Sequence, residues 1–352
     1  MFHVKHSETS NLKWVNVWER GKRSLCAFNF FIGARGTGKT YGALLHQHED
    51  FTAQACGKYI YMRLTQTELD ICATDEDNPY KKLNARENWN VKFEPVPKSK
   101  AYNIVDDGEV LGSARALATF ANVRGSDFSD YTDVIFDEFA PAERVRKTPE
   151  IKNAGYLFSQ AYETINRNRE IEGQPPVRVF FLANAFRLDS DILYYWGLIP
   201  VIESMLKSGQ KRVTIPERSI YIELCDAAGV SEAKRETVLY KALRGNKHIE
   251  NVNLNNKFND YNLTLVKHKV PLTEYTPIVC VEDITIYSHK ATGELYARVG
   301  QETCKEMYDE KSRGLFASRW RVAIRQAQQE RMIYADNAHT LYKLQDIIDN
   351  PT

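Results

Sequence analysis

The sequence predicts an α/β protein, with a mostly parallel central sheet in a first domain and a smaller α+β domain after it. Three observations predict this. An apolar run, FNFFI at residues 28–32, breaks into the glycine-rich loop GARGTGKT at 33–40, and the following residues continue as a helix. Further apolar strands, at 58–64, 134–136 and 177–182, alternate with helix-forming stretches, as a parallel sheet requires. The composition turns rich in Asn and Gly at 245–259, and strand pairs followed by basic helix come after it. Residues 1–226 are therefore expected to form the first domain, 227–258 a linker and 259–352 the second domain.

The chain of 352 residues is long enough for about two domains, each with its own core. Its 47 Lys and Arg balance 46 Asp and Glu, so nucleic-acid binding must rest on local basic patches. No apolar run reaches the length of a membrane span, and the opening residues MFHVKHSETS are polar. A cytoplasmic protein without a membrane partner is expected. The six cysteines contain no C-x-x-C pair and are expected to be reduced. His46 and His48 would point to different sides of a helix, which argues against a metal site there.

The loop at 33–40 fits G-x-x-x-x-G-K-[ST] at every fixed position. Backbone N–H groups of Gly33, Ala34, Arg35, Gly36, Thr37 and Gly38 can curl around a phosphate because the glycines carry no Cβ. The helix that follows adds positive character at its N-terminus. Lys39 is expected to reach the β- and γ-phosphates and Thr40 to bind Mg²⁺, so ATP and Mg²⁺ are the expected ligands.

Before this loop, Trp14, Val15, Val17 and Trp18 precede a charged run at 19–23. They read as a short helix on the sheet edge, which either flanks the adenine or only packs. After it, the strand KYIYMRL at 58–64 brings Arg63 to its tip, where the side chain faces nucleotide, DNA or solvent. Residues 68–88 are polar and read as helix and exposed loop. Strands at 102–105 and 109–111 flank a hairpin turn at 106–108. Lys98 and Lys100 lie just upstream and read as a DNA-backbone contact or as a solvated loop.

The string TDVIFDEF at 132–139 is the second motif. A short apolar strand delivers Asp137 and Glu138 to its C-terminal end, the Walker B pattern. Asp137 would hold Mg²⁺, and Glu138 would polarise the attacking water, since one carboxylate committed to a metal cannot also serve as base. Residues 151–165 carry apolar positions at helical spacing. The strand at 177–182 ends in Ala183 and Asn184, and Asn184 suits a γ-phosphate sensor that bonds both water and phosphate. Helix is expected across 189–208, a strand at 219–224 and a linker helix at 229–243.

In the second domain, strands at 278–281, 284–287 and 295–299 form a hairpin or meander, and helix is expected from there to the end. That helical region carries Arg319, Arg321 and Arg325 among its cations. They suit a phosphate backbone, and equally a solvated face.

With NFFIGARGTGKT, YIYMRL, VIFDEF, NRNRE and LANA in place, the chain resembles the DNA-packaging ATPases of phi29-like phages. The resemblance runs from about residue 28 to 184 and more weakly beyond. It implies an ASCE-type P-loop ATPase domain joined by a linker to a small RNase H-like domain. It also implies a homo-oligomeric ring of five subunits on the procapsid portal, pumping double-stranded DNA, with a structural RNA usually bridging ring and portal. Lys39, Thr40, Asp137 and Glu138 match the ATPase core. Arg167, the first arginine of NRNRE, matches a trans-acting arginine finger, and Arg124 aligns with a second basic residue acting between subunits.

Three other readings remain at this point: a large terminase with an active nuclease, a helicase or conjugation motor, and a small-molecule kinase or GTPase. No N-K-x-D guanine motif supports the last. A working nuclease needs several carboxylates converging on metal ions. Only Glu282 and Asp283 lie near a candidate first strand, so a vestigial domain that binds nucleic acid or portal without cutting DNA is expected.

Overall fold

The computed structural model describes residues 14–34, 36–123, 127–140, 153–184, 190–225, 237–242, 265–267 and 269–349. They group into two compact units, one built from 14–196 and 205–242, the other from 197–204 and 265–349.

The apolar run before the glycine loop forms β1 (Phe28–Gly33), inside a nine-stranded sheet. The others are β2 (Lys58–Arg63), β3 (Lys92–Pro95), β4 (Tyr102–Asp106), β5 (Glu109–Ala116), β6 (Tyr131–Asp137), β7 (Arg178–Asn184), β8 (Arg212–Ile215) and β9 (Ile220–Cys225). Their order is β3-β4-β5-β2-β6-β7-β1-β9-β8. The six central strands from β5 to β9 are parallel, and antiparallel pairings occur only toward the two edges. Central strands buried on both faces read as unbroken apolar runs, which is why β1, β2, β6 and β7 stood out in the sequence.

Alternation along those strands sorts the aromatic residues onto two faces. On one face Phe30 stacks on Phe181 at 4.2 Å between ring centroids, and Phe158 of the helix Ala154–Asn166 meets Phe181 at 4.8 Å. On the other, Trp18 of α1 (Val17–Ser24) stacks on Phe180 at 4.6 Å. α1 therefore covers the middle of the sheet, not its edge as the sequence suggested. A helix so short gives no signal of which strands it meets. Phe158 is wholly buried, and truncating such a residue to Ala costs about 3–5 kcal/mol.

The connections follow local chemistry. α2 (Lys39–Thr52) continues directly from the glycine loop. α3 (Gln66–Cys72) starts at a capping box between Thr65 and Glu68. α4 (Lys81–Glu87) follows within 68–88, where the sequence predicts helix and exposed loop. Asp107 and Gly108 both have positive φ, 45° and 92°, closing the β4–β5 hairpin as a two-residue turn. The expected helix at 189–208 is two helices, Asp191–Tyr195 and Ile199–Ser208, with Gly197 at φ 62° between them.

The second unit holds a five-stranded sheet. Its strands are β10 (Tyr275–Val281), β11 (Ile284–His289), β12 (Leu295–Val299), β13 (Glu306–Tyr308) and β14 (Ile333–Ala335), in the order β13-β10-β11-β12-β14. β10, β11 and β12 form the expected antiparallel meander. Helices Arg313–Gln329 and Ala338–Asp349 supply Phe316, Ile324, Leu341, Leu344 and Ile347 to the same core as Val279, Ile284 and Ile286. The expectation of helix to the end is corrected by β13 and β14. Each has three residues and pairs in parallel with a distant strand, so neither leaves a period-two pattern. Among the described residues, no helix is long and apolar enough to cross a membrane.

Candidate active site

In a parallel sheet the strands' C-terminal ends share one rim, and loops there meet ligands. Here that rim carries Gly33 of β1, Asp137 of β6 and Asn184 of β7. β7 lies between the strand that feeds the glycine loop and the strand that ends in the carboxylate pair.

The glycines of the loop are there for stated reasons. Gly38 caps α2 at φ 84°, and a Cβ on it would lie 3.1 Å from the Trp14 ring. A Cβ on Gly33 would lie 2.6 Å from the Cys225 carbonyl oxygen of β9. Lys39 is 7 % exposed, and its Nζ donates to the carbonyls of Gly33 at 3.1 Å and Ala34 at 2.9 Å and to Thr37 Oγ1 at 3.2 Å. The ammonium thus sits at the mouth of the loop, where a phosphate cradled by the backbone N–H groups would meet it.

The Asp137 carboxylate accepts from three side chains. Thr40 Oγ1 donates to Oδ1 at 2.8 Å, while Tyr61 OH at 2.9 Å and Arg63 Nη1 at 3.1 Å donate to Oδ2. Glu138 stands in the left-handed region at φ 54°, a strained position for a side-chain residue. Arg63 Nη2 approaches its carboxylate at 3.4 Å, and Asn184 Nδ2 lies 3.5 Å from it on the other side. Burial works against the Arg63 charge, but the Asp137 and Glu138 carboxylates outweigh it and raise the guanidinium above its ordinary value. Burial, with the Asp137 charge beside it, keeps the Tyr61 phenol well above its usual range, so it stays a donor.

Thr40 and Asp137 put two hard oxygens side by side at the N-terminus of α2, which fits a magnesium ion completed by water and substrate phosphates. A cavity of about 520 Å³ opens over them, lined also by Trp14, Tyr41, Lys82 and Arg86. Its size is that of a small-molecule site. Sequence reasoning placed Trp14 near the nucleotide only through the helix that follows it. It missed Lys82 and Arg86. Their four-residue spacing on α4 is visible in KKLNARE, but nothing local says which cavity that face meets.

Arg63, left open between nucleotide, DNA and solvent, binds both carboxylates. Arg167 is exposed and caps the helix Ala154–Asn166 at φ 41°. Its neighbour Arg169 donates to the carbonyls of Ser129 and Tyr131, at the start of β6. Asp137 ends that strand, six residues and roughly 20 Å farther on. Arg167 therefore stands at the rim opposite its own carboxylate pair. Arg35, Arg124 and nearly all of the expected linker lie outside the described residues.

Lys98 and Lys100 are exposed in the turn between β3 and β4. In the second unit, Arg319 pairs with Glu306 at 2.7 Å and Arg325 with Asp349 at 2.9 Å, while Arg321 keeps a buried Nε without an acceptor among the described residues. Glu282 and Asp283 form the β10–β11 turn. Glu282 is bound by Arg313 and Lys343, and Asp283 by Lys343 at 2.6 Å.

Similarity to known proteins agrees with this geometry. The DNA packaging protein of Bacillus phage B103 is 28% identical over 246 residues, 68% of this chain and 67% of that protein. The DNA packaging protein of Bacillus phage phi29 is 24% identical over 230 residues, 65% of this chain and 61% of that protein. The fold is that of the solved phi-28 gp11 DNA packaging motor, at TM-score 0.64 and 16% identity over 96% of this chain and 99% of that one. The phi-29 viral genome packaging motor assembly follows at TM-score 0.62 and 15% identity, over 95% and 99%. Residues 22–345 match the family model of the podovirus DNA encapsidation protein (Gp16), and the chain belongs to that family.

Proposed function

We infer that the chain is an ATP-hydrolysing motor subunit that drives double-stranded viral DNA into a procapsid. The observation that carries this is the convergence of Lys39, Thr40, Asp137, Glu138 and Arg63 on one rim, in a chain of the encapsidation family.

The loop from Gly33 to Thr40 binds the triphosphate of ATP through its backbone N–H groups, and Lys39 leaves its carbonyl partners to meet the β- and γ-phosphates. Thr40 and Asp137 would hold Mg²⁺, which would supply charge neutralisation at the phosphate oxygens. Glu138 polarises the attacking water and takes its proton, and Asn184 orients water and γ-phosphate from the tip of β7. Trp14 offers its ring as a wall for the base.

Arg167 completes the site of a neighbouring subunit, where its planar guanidinium stabilises charge on the transferring phosphoryl group. Its placement away from its own Glu138 supports this, as does the heterologous interface of a ring. Arg124 acts across the same interface. The ring has five subunits, sits on the procapsid portal in the host cytoplasm, and is bridged to it by a structural RNA.

Residues 1–226 form the ATPase domain, 227–258 the linker and 259–352 a second domain that binds nucleic acid or portal without cutting DNA. The ion pairs that engage Glu282 and Asp283 support the absence of cutting, since carboxylates tied to Lys343 and Arg313 do not converge on a metal. Lys98, Lys100, Arg319, Arg321 and Arg325 are the proposed contacts to DNA phosphates. The test is ATPase rate per subunit against protein concentration, with and without duplex DNA. A shared site predicts a rate per subunit that rises as rings assemble and rises further with DNA. A rate independent of both refutes the motor.

A further inference from the structure

A second cleft, of about 340 Å³, opens on the first unit away from the nucleotide cavity. It is lined by Lys98, Ser99, Lys100, Arg115, Thr119 and Phe120, among others, and among the described residues no carboxylate contributes to its wall. The pairing of Met62 with Arg115 and of Arg63 with Ala116 sets it at the same end of the sheet as the active site, one strand beyond β2.

Three cations therefore share one small space, and among the described residues none of them has an acidic partner. Like charges held together without a counter-ion repel one another, so the arrangement favours an anion. Arg115 is the least free of the three. Its guanidinium lies 5.4 Å from the centre of the Phe128 ring, and its buried Nε has no hydrogen-bond acceptor among the described residues. Lys98 adds a backbone signal. It holds φ 58° in a turn closed by bonds from Ser99 N to Val96 O and from Val96 N to Ala101 O. Gly or Asn would adopt that conformation with less strain, so the turn itself does not call for a lysine there.

We propose that this cleft docks one phosphate of the duplex DNA backbone, with Arg115 as its fixed anchor and Lys98 and Lys100 as its closing arms. The proposal rests on the reading of the chain as a DNA motor. The lining favours a phosphate over a base, because its one aromatic side chain, Phe120, is 3 % exposed and packs on Phe128, leaving no platform for stacking. Contact through phosphate alone carries no sequence information, as a motor that accepts any DNA requires.

The test is fluorescence anisotropy of full-length protein with labelled duplex DNA across a salt series, with duplex RNA in parallel. Lys98→Gly and Lys100→Gln change exposed residues, and Lys98→Gly also relieves the turn. Together they are expected to weaken duplex DNA binding equally on unrelated sequences and to flatten the slope of log K against log salt by up to about 0.9, the value for one phosphate, with Arg115 keeping part of it. Between 50 and 200 mM salt, wild-type affinity should then fall by up to about 3.5-fold more than that of the double variant. Wild-type affinity and slope in the double variant would overturn the cleft while leaving the motor reading intact. Loss confined to RNA would overturn the DNA assignment. A wild-type protein that binds no duplex DNA would refute the motor reading itself, and the cleft with it.

Discussion

Arg63 Nη2 lies 3.4 Å from Glu138 while its Nη1 donates to Asp137 at 3.1 Å, so one guanidinium holds both neighbouring carboxylates. Both Arg63 and Asp137 are nearly buried, at 11% and 8% side-chain exposure. Removing one partner of such a pair leaves a charge uncompensated in a poorly solvated place. Arg63→Ala is expected to destabilise the nucleotide-free protein by about 3 kcal/mol. Magnesium should then recover part of the loss, since the freed carboxylates gain affinity for a cation. Thermal unfolding with and without Mg²⁺ measures both effects. An unchanged midpoint in Arg63→Ala would show that the pair is not held as described.

The glycine loop makes a separate demand. Gly38 sits at φ 84° against Trp14, so Gly38→Ala introduces both backbone strain and a clash. A stability loss of at least about 1 kcal/mol is expected, together with loss of nucleotide retention. Lys39→Ala should lose retention without the strain. Equilibrium dialysis against ATP separates them, and retention at wild-type level in Lys39→Ala would contradict the phosphate role.

The placement of Arg167 predicts complementation. Arg167→Ala and Glu138→Gln subunits should each be inactive alone. Mixed in equal amounts, they regenerate interfaces that hold one intact Glu138 and one intact Arg167, roughly a quarter of the total if mixing is random. ATPase activity of the mixture should rise toward that fraction. A mixture that co-assembles but stays inactive would place Arg167 outside the shared site.

In the second unit, burial alone would raise the Glu282 carboxyl, but its bonds to Arg313 and Lys343 hold it below its ordinary value of 4.5. A depressed folded-state value means that the unfolded chain takes up the proton first as pH falls. The stabilisation is therefore complete above pH 4.5 and is lost as pH drops through the lower folded-state value. Glu282→Gln should unfold at lower temperature near neutral pH and lose part of the acid dependence that wild type shows. Identical acid unfolding curves for the two proteins would contradict it.

The core of the candidate site was legible in the sequence because its determinants are local. A strand, a glycine loop and a helix in direct succession specify where Lys39 and Thr40 stand, and a strand end specifies Asp137 and Glu138. Asn184 followed from the same logic at the tip of β7. Arg63 was visible as a strand-end cation, but its partners come from β6, more than seventy residues on, and only the sheet order brings them together. Trp14 meets Gly38 and the face of α4 bearing Lys82 and Arg86 meets the nucleotide cavity for the same non-local reason. In the second unit β13 and β14 are too short to show a period, so their pairing was hidden although the meander beside them was not.

The most direct test compares wild type with Glu138→Gln in one experiment, scoring bound nucleotide and phosphate release from the same assembled protein in the presence of duplex DNA. The expected result is nucleotide retained by both, with release in the variant lower by at least about a hundredfold, the scale of a lost general base. Release at the wild-type rate from Glu138→Gln, or no nucleotide retained by wild type, would contradict the account.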